Sequence, residues 1–242
     1  MKQLTIHRQL KFSWSSCYSK KGTPIANYPP MIMVEPRTIS WKEIDNLVKQ
    51  HIADNGFEYD SVRDYLYSLI PDEFECTVYN NRKTILDFMQ VGGVWGGVGA
   101  VAVVRKCIKD IIEKIPSTRD EYLFKPITIY RKGEDIDEGD FYLLIMPTIP
   151  QRELVATKCL YRDYENNVGV VFDNIEELCE SVWRGKYSAY LLTLPAEYRD
   201  LQMLWVGGYE APFVSDKIAT ELQVAAVYAD GYEFGIRMIF DE

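Results

Sequence analysis

With 242 residues, 47% of them hydrophobic and 26% charged, the chain can build one large or two small folded domains and is too apolar to stay disordered. A net charge of −9 and a pI near 4.9 argue against a nucleic-acid binder, because phosphate neutralisation needs clustered Lys and Arg. The same acidity suits a basic protein partner, and it serves solubility equally well.

Five cysteines (Cys17, Cys76, Cys107, Cys159 and Cys179) are odd in number and never form a CxxC pair. Neither a disulfide framework nor a zinc knuckle follows from that spacing, and no metal is expected. They read as small reduced core residues. The first 16 residues lack a continuous apolar core and a cleavage site, so a cytoplasmic location is expected. Residues 91–104 form an apolar run too short for a bilayer, which takes about 20 residues, and no membrane partner is expected.

In chain order, residues 1–38 read as extended segments and loops. Leu4, Ile6, Leu10, Phe12 and Trp14 recur mostly at spacing two, predicting a strand or hairpin arm. Residues 20–30 are a loop by composition, and residues 31–34 a short strand ended by Pro36. Ser40 with Glu43 makes a capping-box pattern. The helix it opens has Ile44, Leu47, Val48 and Ile52 on one face and stops at Asn55-Gly56. A second helix is expected over 59–69, then a strand over 74–79 and a turn at Asn80-Asn81. Val104, Ile108, Ile111, Ile112 and Ile115 predict an amphipathic helix ending at Pro116. The polar stretch 117–121 is the best candidate boundary.

Beyond it, Phe124-Lys125-Pro126 opens a strand over 127–130, an acidic turn covers 133–140, and residues 141–146 form the partner strand. Residues 160–164 and 168–172 read as a hairpin around Asn166-Asn167. Ile175, Leu178, Cys179 and Val182 line a helix over 173–183, and strands follow at 190–194 and 201–206. Ser215 is an N-cap and Asp216 suits the first turn of a helix with Ile218, Leu222 and Ala225 as its stripe. Asp230-Gly231 then turns the chain into a strand carrying Tyr232, Phe234, Ile236, Met238 and Phe240 on one face. The expected class is α+β: a mainly helical region 1–118 with an extended arm, and a mixed, largely antiparallel sheet with helices over 119–242, as two domains or one continuous one. No internal repeat is visible in the sequence.

Signatures of catalysis are sparse. His7 and His51 stand far apart without nearby metal-ligand partners, and no GxSxG, HExxH or Cys-His pattern occurs. The chain is therefore expected not to be an enzyme. The glycine run at 92–99 offers the one alternative. Gly97-Val98-Gly99-Ala100-Val101-Ala102 matches the loose GxGxxA form of a dinucleotide loop, whose amides and following helix would face a pyrophosphate. No Gly-Lys-Ser/Thr ends the run, and a βαβ unit around it is not evident. The competing reading is a flexible loop or tight backbone packing.

Two short motifs and the order of elements carry a family resemblance. Val214-Ser215-Asp216 opens a helix and Gly231-Tyr232-Glu233-Phe234 lies in the closing strand. They follow the Pro-led strand, the polar turn and the tyrosine-rich strand described above. In this the chain resembles, over about residues 105–242, the immunity proteins of bacterial polymorphic-toxin and contact-dependent-inhibition systems. It departs where the family often has a Phe-Arg pair: here stand Leu204-Trp205 and a longer Gly207-Gly208 loop. Residues 1–104 carry none of the likeness.

The resemblance implies a protein that neutralises a cognate toxin by non-catalytic binding, without a cofactor. On that reading Glu134, Asp135, Asp137, Glu138 and Asp140 would face a basic toxin, with Tyr161, Tyr164 and Trp205 as aromatic anchors. The acidic turn reads equally well as a solvated hairpin loop. The competing function is a nucleotide-binding enzyme using residues 92–99.

Overall fold

A computed structural model describes residues 7–9, 33–79, 88–90, 100–115, 121–131, 139–183, 186–209, 212–224 and 236–241. The chain is an α+β protein. Strands β1 (His7–Gln9) and β2 (Met33–Pro36) precede helices α1 (Trp41–Asn55) and α2 (Tyr59–Leu69). Next come β3 (Phe74–Tyr79), β4 (Phe88–Gln90), β5 (Ala100–Arg105), α3 (Lys106–Glu113), β6 (Leu123–Arg131) and β7 (Phe141–Met146). The remainder is β8 (Thr148–Ile149), β9 (Leu160–Asp163), β10 (Gly169–Val170), α4 (Ile175–Trp183), β11 (Tyr187–Leu194), β12 (Met203–Val206), β13 (Phe213–Ser215), α5 (Asp216–Val224) and β14 (Arg237–Phe240).

Local chemistry explains why the best-marked helices start and stop where they do. At α1 the Glu43 amide donates to Ser40 Oγ (3.2 Å) and the Ser40 amide donates to Glu43 Oε2 (2.9 Å), which completes the capping box. Those bonds also hold the Glu43 carboxyl below its ordinary pKa. Gly56, at φ 82°, ends the helix in the left-handed region that glycine tolerates. Trp41, Ile44 and Val48 are buried beneath α1, but Leu47 is 41% exposed. At 100° per residue Leu47 lies about 100° from the centre of the stripe that Trp41 shares with Ile44, Val48 and Ile52.

The described strands form two sheets, ordered β2-β3-β6-β7-β5-β4 and β10-β9-β11-β14-β1-β13-β12-β8. Neighbours are antiparallel except β3 with β6, β11 with β14 and β12 with β8. Pairing crosses residue 118 in both sheets. β6 and β7 lie between β3 and β5, while β1 lies deep within the second sheet. Strands thus accompany helices on both sides of the expected boundary. The turns expected at Asn80-Asn81 and Asp230-Gly231 lie outside the described residues.

The two sheets repeat one topology. In the first, β2 pairs with β3, β3 runs parallel to β6, and β6, β7, β5 and β4 follow antiparallel. In the second, β9 pairs with β11, β11 runs parallel to β14, and β14, β1, β13 and β12 follow antiparallel. A helix leaves the equivalent strands β5 and β13 without a linker, giving α3 and α5. Helices also precede β3 and β11 in equivalent places. One difference stands out: the strand matching β7 comes not after β14 but from the N-terminus, as β1.

The sequence echoes this duplication. Val91-Gly92-Gly93 follows β4 as Gly207-Gly208 follows Val206 in β12. Val104, Ile108 and Ile112 correspond to Val214, Ile218 and Leu222, all of them buried.

Three cores hold the layers together. α1 and α2 cover one face of the six-stranded sheet through Ile44, Val48, Leu66, Val101, Val103, Leu143 and neighbours. The other face carries Ala102, Val104, Leu144 and Met146, and meets α3, α5, Met203 and Val214 in a shared middle core. Beyond it, Leu192, Leu204, Phe213 and Met238 face α4 through Leu178. Polar links also join the sheets: the Met203 amide donates to the Tyr122 hydroxyl at 2.6 Å. Burial pushes that phenol far above its ordinary pKa.

Both faces of β5 are therefore covered, and this corrects the expected helix at Val104. A strand buried on both sides is continuously apolar and lacks the alternation that separates strand from helix. The helix itself starts at Lys106. A strand thus stands where the helix of a dinucleotide loop would begin, while residues 91–99 lie outside the described set.

The position of β1 makes a test of the repeat. A permuted chain starting at residue 33, with residues 1–32 joined after residue 242, restores the order of the first unit in the second. It is expected to fold with a urea midpoint close to the parent's. A chain simply lacking residues 1–32 is expected to lose cooperative unfolding, because β13 and β14 then keep unpaired central edges.

Candidate interaction surface

The expected site residues do not converge. Glu134, Asp135, Asp137 and Glu138 lie outside the described residues. Asp140 is exposed, and its carbonyl accepts the Lys106 amide at the start of α3 (3.0 Å). Trp205 is half-buried on the middle core, its amide donating to Pro147 O at 2.8 Å. Tyr164 is exposed next to β9. Four strands separate β9 from β12, so at ~4.8 Å per strand Tyr164 and Trp205 are about 24 Å apart across the sheet.

Tyr161 corrects the expectation outright. It is fully buried, packed edge-on against Phe172 with centroids 5.3 Å apart. Its hydroxyl shares a 2.5 Å hydrogen bond with that of Tyr209. Burial pushes its phenol far above the ordinary range, and the nearby Cys159 thiol up to about 11. Its position explains this: Tyr161 faces inward on β9, while Leu160 and Arg162 face outward.

What the fold does assemble is an apolar strip along β9, β10 and β11. Among the described residues, five large hydrophobic side chains are exposed, and four of them lie on or beside these strands: Tyr164 (65%), Tyr190 (60%) and Val171 (53%), with Val168 (51%) on the opposite face of the hairpin, where 168 pairs with 163. Val171 directly follows the last residue of β10, Val170, which pairs with Tyr161; the same register carried one residue further leads to Leu160. Tyr190 occupies the register shift between Ala189 and Leu191, so this extra residue turns out of the ladder. Gly169 matters to the same strip. A Cβ there would meet Leu160 Cδ1 at 3.3 Å, so the missing side chain lets Leu160 lie against the edge strand.

The hairpin tip is held rigidly. Asp163 Oδ1 accepts the amides of Glu165 (2.8 Å) and Asn166 (3.1 Å), and Oδ2 accepts Asn166 Nδ2 (3.0 Å). Asn167 completes the turn at φ 55°, a left-handed conformation that Asn adopts more readily than most residues. The Asn166 side chain, then its amide, hold the Asp163 carboxyl below its ordinary pKa. Lys186 lies 3.7 Å from both Asp163 and Glu165. The outward face also carries the exposed Arg162 on β9 and Arg237, which pairs with Leu191; the exposed acids Glu165 and Asp173 flank β10, and Glu176, Glu177 and Glu180 lie on α4, over the opposite face.

The two units differ on the outward face. The matching face of the first sheet carries Glu75, Thr77, Thr128 and Tyr130. There Arg37 lies 3.7 Å from Glu75 and 3.8 Å from the Tyr130 ring centroid. That surface satisfies its own polar groups. On the equivalent strands of the second unit that face carries Leu191 and Thr193 on β11 and Arg237 and Ile239 on β14, while Leu160 lies on β9, the counterpart of β2, and β10 has no counterpart among the described residues.

Of the three aromatic residues expected as anchors Tyr164 is the exposed one, and Val168, Val171 and Tyr190 were not among the expected residues. One signal was present: residues 168–172 are apolar throughout, which a hairpin strand with a solvent-facing side should not be. Among the described residues no group of three or more His, Cys, Asp or Glu could hold a metal, and no helix is long and apolar enough to cross a membrane. Neither a family model nor a curated protein matches this chain.

Two measurements check this geometry. Because the folded Asp163 carboxyl is depressed, its contribution is present above the unfolded value near 3.9 and lost as pH falls through the folded value. Amide exchange at Glu165 and Asn166 should therefore accelerate below about pH 4, and Asp163→Asn should remove that dependence. Tyr161→Phe removes the buried Tyr161–Tyr209 hydroxyl bond and is expected to cost about 1–2 kcal/mol in urea denaturation. Tyr161→Phe combined with Tyr209→Phe should cost less than the two single changes summed.

Proposed function

We propose that the chain is an immunity protein that neutralises a cognate bacterial toxin in the cytoplasm by binding it, without catalysis or cofactor. The single observation that carries the reading is an apolar strip exposed on an acidic protein. Contiguous exposed apolar side chains with a polar rim mark protein-binding surfaces. Tyr164 and Tyr190 offer large, rigid anchor area at little entropic cost, and the acids flanking β10 suit a basic toxin. The resemblance over residues 105–242 supports the same function. The acidic turn at 134–140 is a second contact region on this reading.

Co-expression with the product of the adjacent open reading frame is expected to give a stoichiometric complex and restore growth. Failure of that product to bind would remove the proposal. Within the complex, Tyr164→Ala with Tyr190→Ala should speed dissociation by roughly 30-fold or more, as expected for paired anchor residues. Asp135, Asp137 and Glu138 changed together to Lys should slow association at low salt. An unchanged on-rate would remove the acidic turn from the interface.

A further inference from the structure

We infer that the free edge of β10 receives an extended, basic segment of the partner polypeptide as an added strand of the eight-stranded sheet. The partner's identity rests on the toxin-binding reading above; the mode of contact rests on backbone geometry.

Among the described residues the eight-stranded sheet ends at β10. The Asp163 amide donates to Val168 O at 3.0 Å, which makes 163 and 168 a hydrogen-bonded pair. Alternation along the register Gly169↔Arg162 and Val170↔Tyr161 then makes 162/169 and 160/171 the non-bonded pairs. Gly169 and Val171 therefore direct their N–H and C=O groups away from β9, toward the open edge. An incoming strand would find both donors and acceptors there.

Folded proteins ordinarily guard such edges with charge or proline. Of the three other edge strands among the described residues two are guarded in that way, while β4 reads Phe88-Met89-Gln90 with neither, and β10 itself is only two residues long. β8 is flanked by Pro147 and Pro150, and β2 carries Glu35 and ends at Pro36. The β10 edge reads Asn167-Val168-Gly169-Val170-Val171-Phe172, with neither. The outward Val171 side chain gives alternate residues of an added strand an apolar surface to pack on.

Charge selects the occupant. Glu165, 3.7 Å from Lys186, lies before the strand, Asp173, Glu176 and Glu177 lie after it, and Arg162 pairs with Gly169. A second copy pairing antiparallel about β10 would set Glu165 beside the other copy's Asp173 region, and facing like charges destabilise strand pairs. A segment flanked by Lys or Arg meets opposite charge at both ends.

The test uses the full chain and a synthetic nine-residue peptide of alternating Val and Thr flanked by lysines. Two further copies are N-methylated on alternate residues, one in each frame, and another is flanked by glutamates. The lysine-flanked peptide should bind. One methylated frame should lose binding while the other retains it, because only one set of amides faces the edge. The glutamate-flanked copy should bind about tenfold more weakly or worse, a difference of about 1.4 kcal/mol. Val171→Pro, which removes an outward N–H, and Val171→Lys, which keeps the N–H but adds a guarding charge, should each weaken binding by about tenfold. Far-UV circular dichroism and the urea midpoint establish that each variant is folded, and Val171→Lys, at an exposed position, is the control should the proline variant unfold.

Equal binding of both methylated frames would overturn the inference, as would affinity unaffected by Val171→Lys. A parent chain that sediments as a dimer, dissociated by Val171→Lys, would assign the edge to a second copy and overturn it too. The toxin reading fails separately. A toxin bound with undiminished affinity by Val171→Lys sinks strand addition alone. A peptide-binding edge with no toxin captured sinks the immunity reading alone.

Discussion

Backbone pairing at His7–Gln9 is the constraint on which the second half of the molecule depends. These three residues sit between β13 and β14 and bond to both, so two partial sheets become one eight-stranded sheet. Without them the two neighbours would present inward-facing rows of N–H and C=O groups. Each such group left unpaired away from water costs about 1–3 kcal/mol. A segment near the start of the chain thereby completes a sheet whose other strands begin after residue 147.

The same strand explains the layout of the whole. Each unit has an outer helical layer and a sheet, and each sends one helix, α3 or α5, into a common middle core. Ile108 and Ile112 from one helix meet Ile218 and Leu222 from the other. Equivalent elements thus pack on equivalent elements, as expected of a duplicated unit folded back on its copy. The permuted position of β1 binds the ends of the chain into one unit and removes the boundary that composition suggests near residue 118.

Within the described residues α5 runs from Asp216 to Val224 and packs with α3 against Met203 of β12 and Val214 of β13. In the first unit the face that carries Glu75 and Tyr130 is polar and internally paired through Arg37. In the second the equivalent strands carry Leu191, Thr193, Arg237 and Ile239 on that face, with Leu160 beside them on β9. Rigid turn chemistry at Asp163 holds that surface in one shape and lowers the entropic cost of engaging it.

Local chemistry in the sequence determined much of the secondary structure. Ser40 with Glu43, the apolar stripe over 59–69, and the strands at 74–79 and 141–146 all form where their residues place them. Caps, turns and periodicity act over a few neighbours and are legible without a fold. Val104 was misread because a strand covered on both faces has no period to show. Tyr161 and Tyr164 looked alike as aromatic residues three apart, and only the pleat and the packing of Phe172 sent one into the core and left the other in water. The insertion of β1, the duplicated topology and the open β10 edge were decided by tertiary structure alone, since strand pairing joins residues more than 200 positions apart and leaves no local trace in composition.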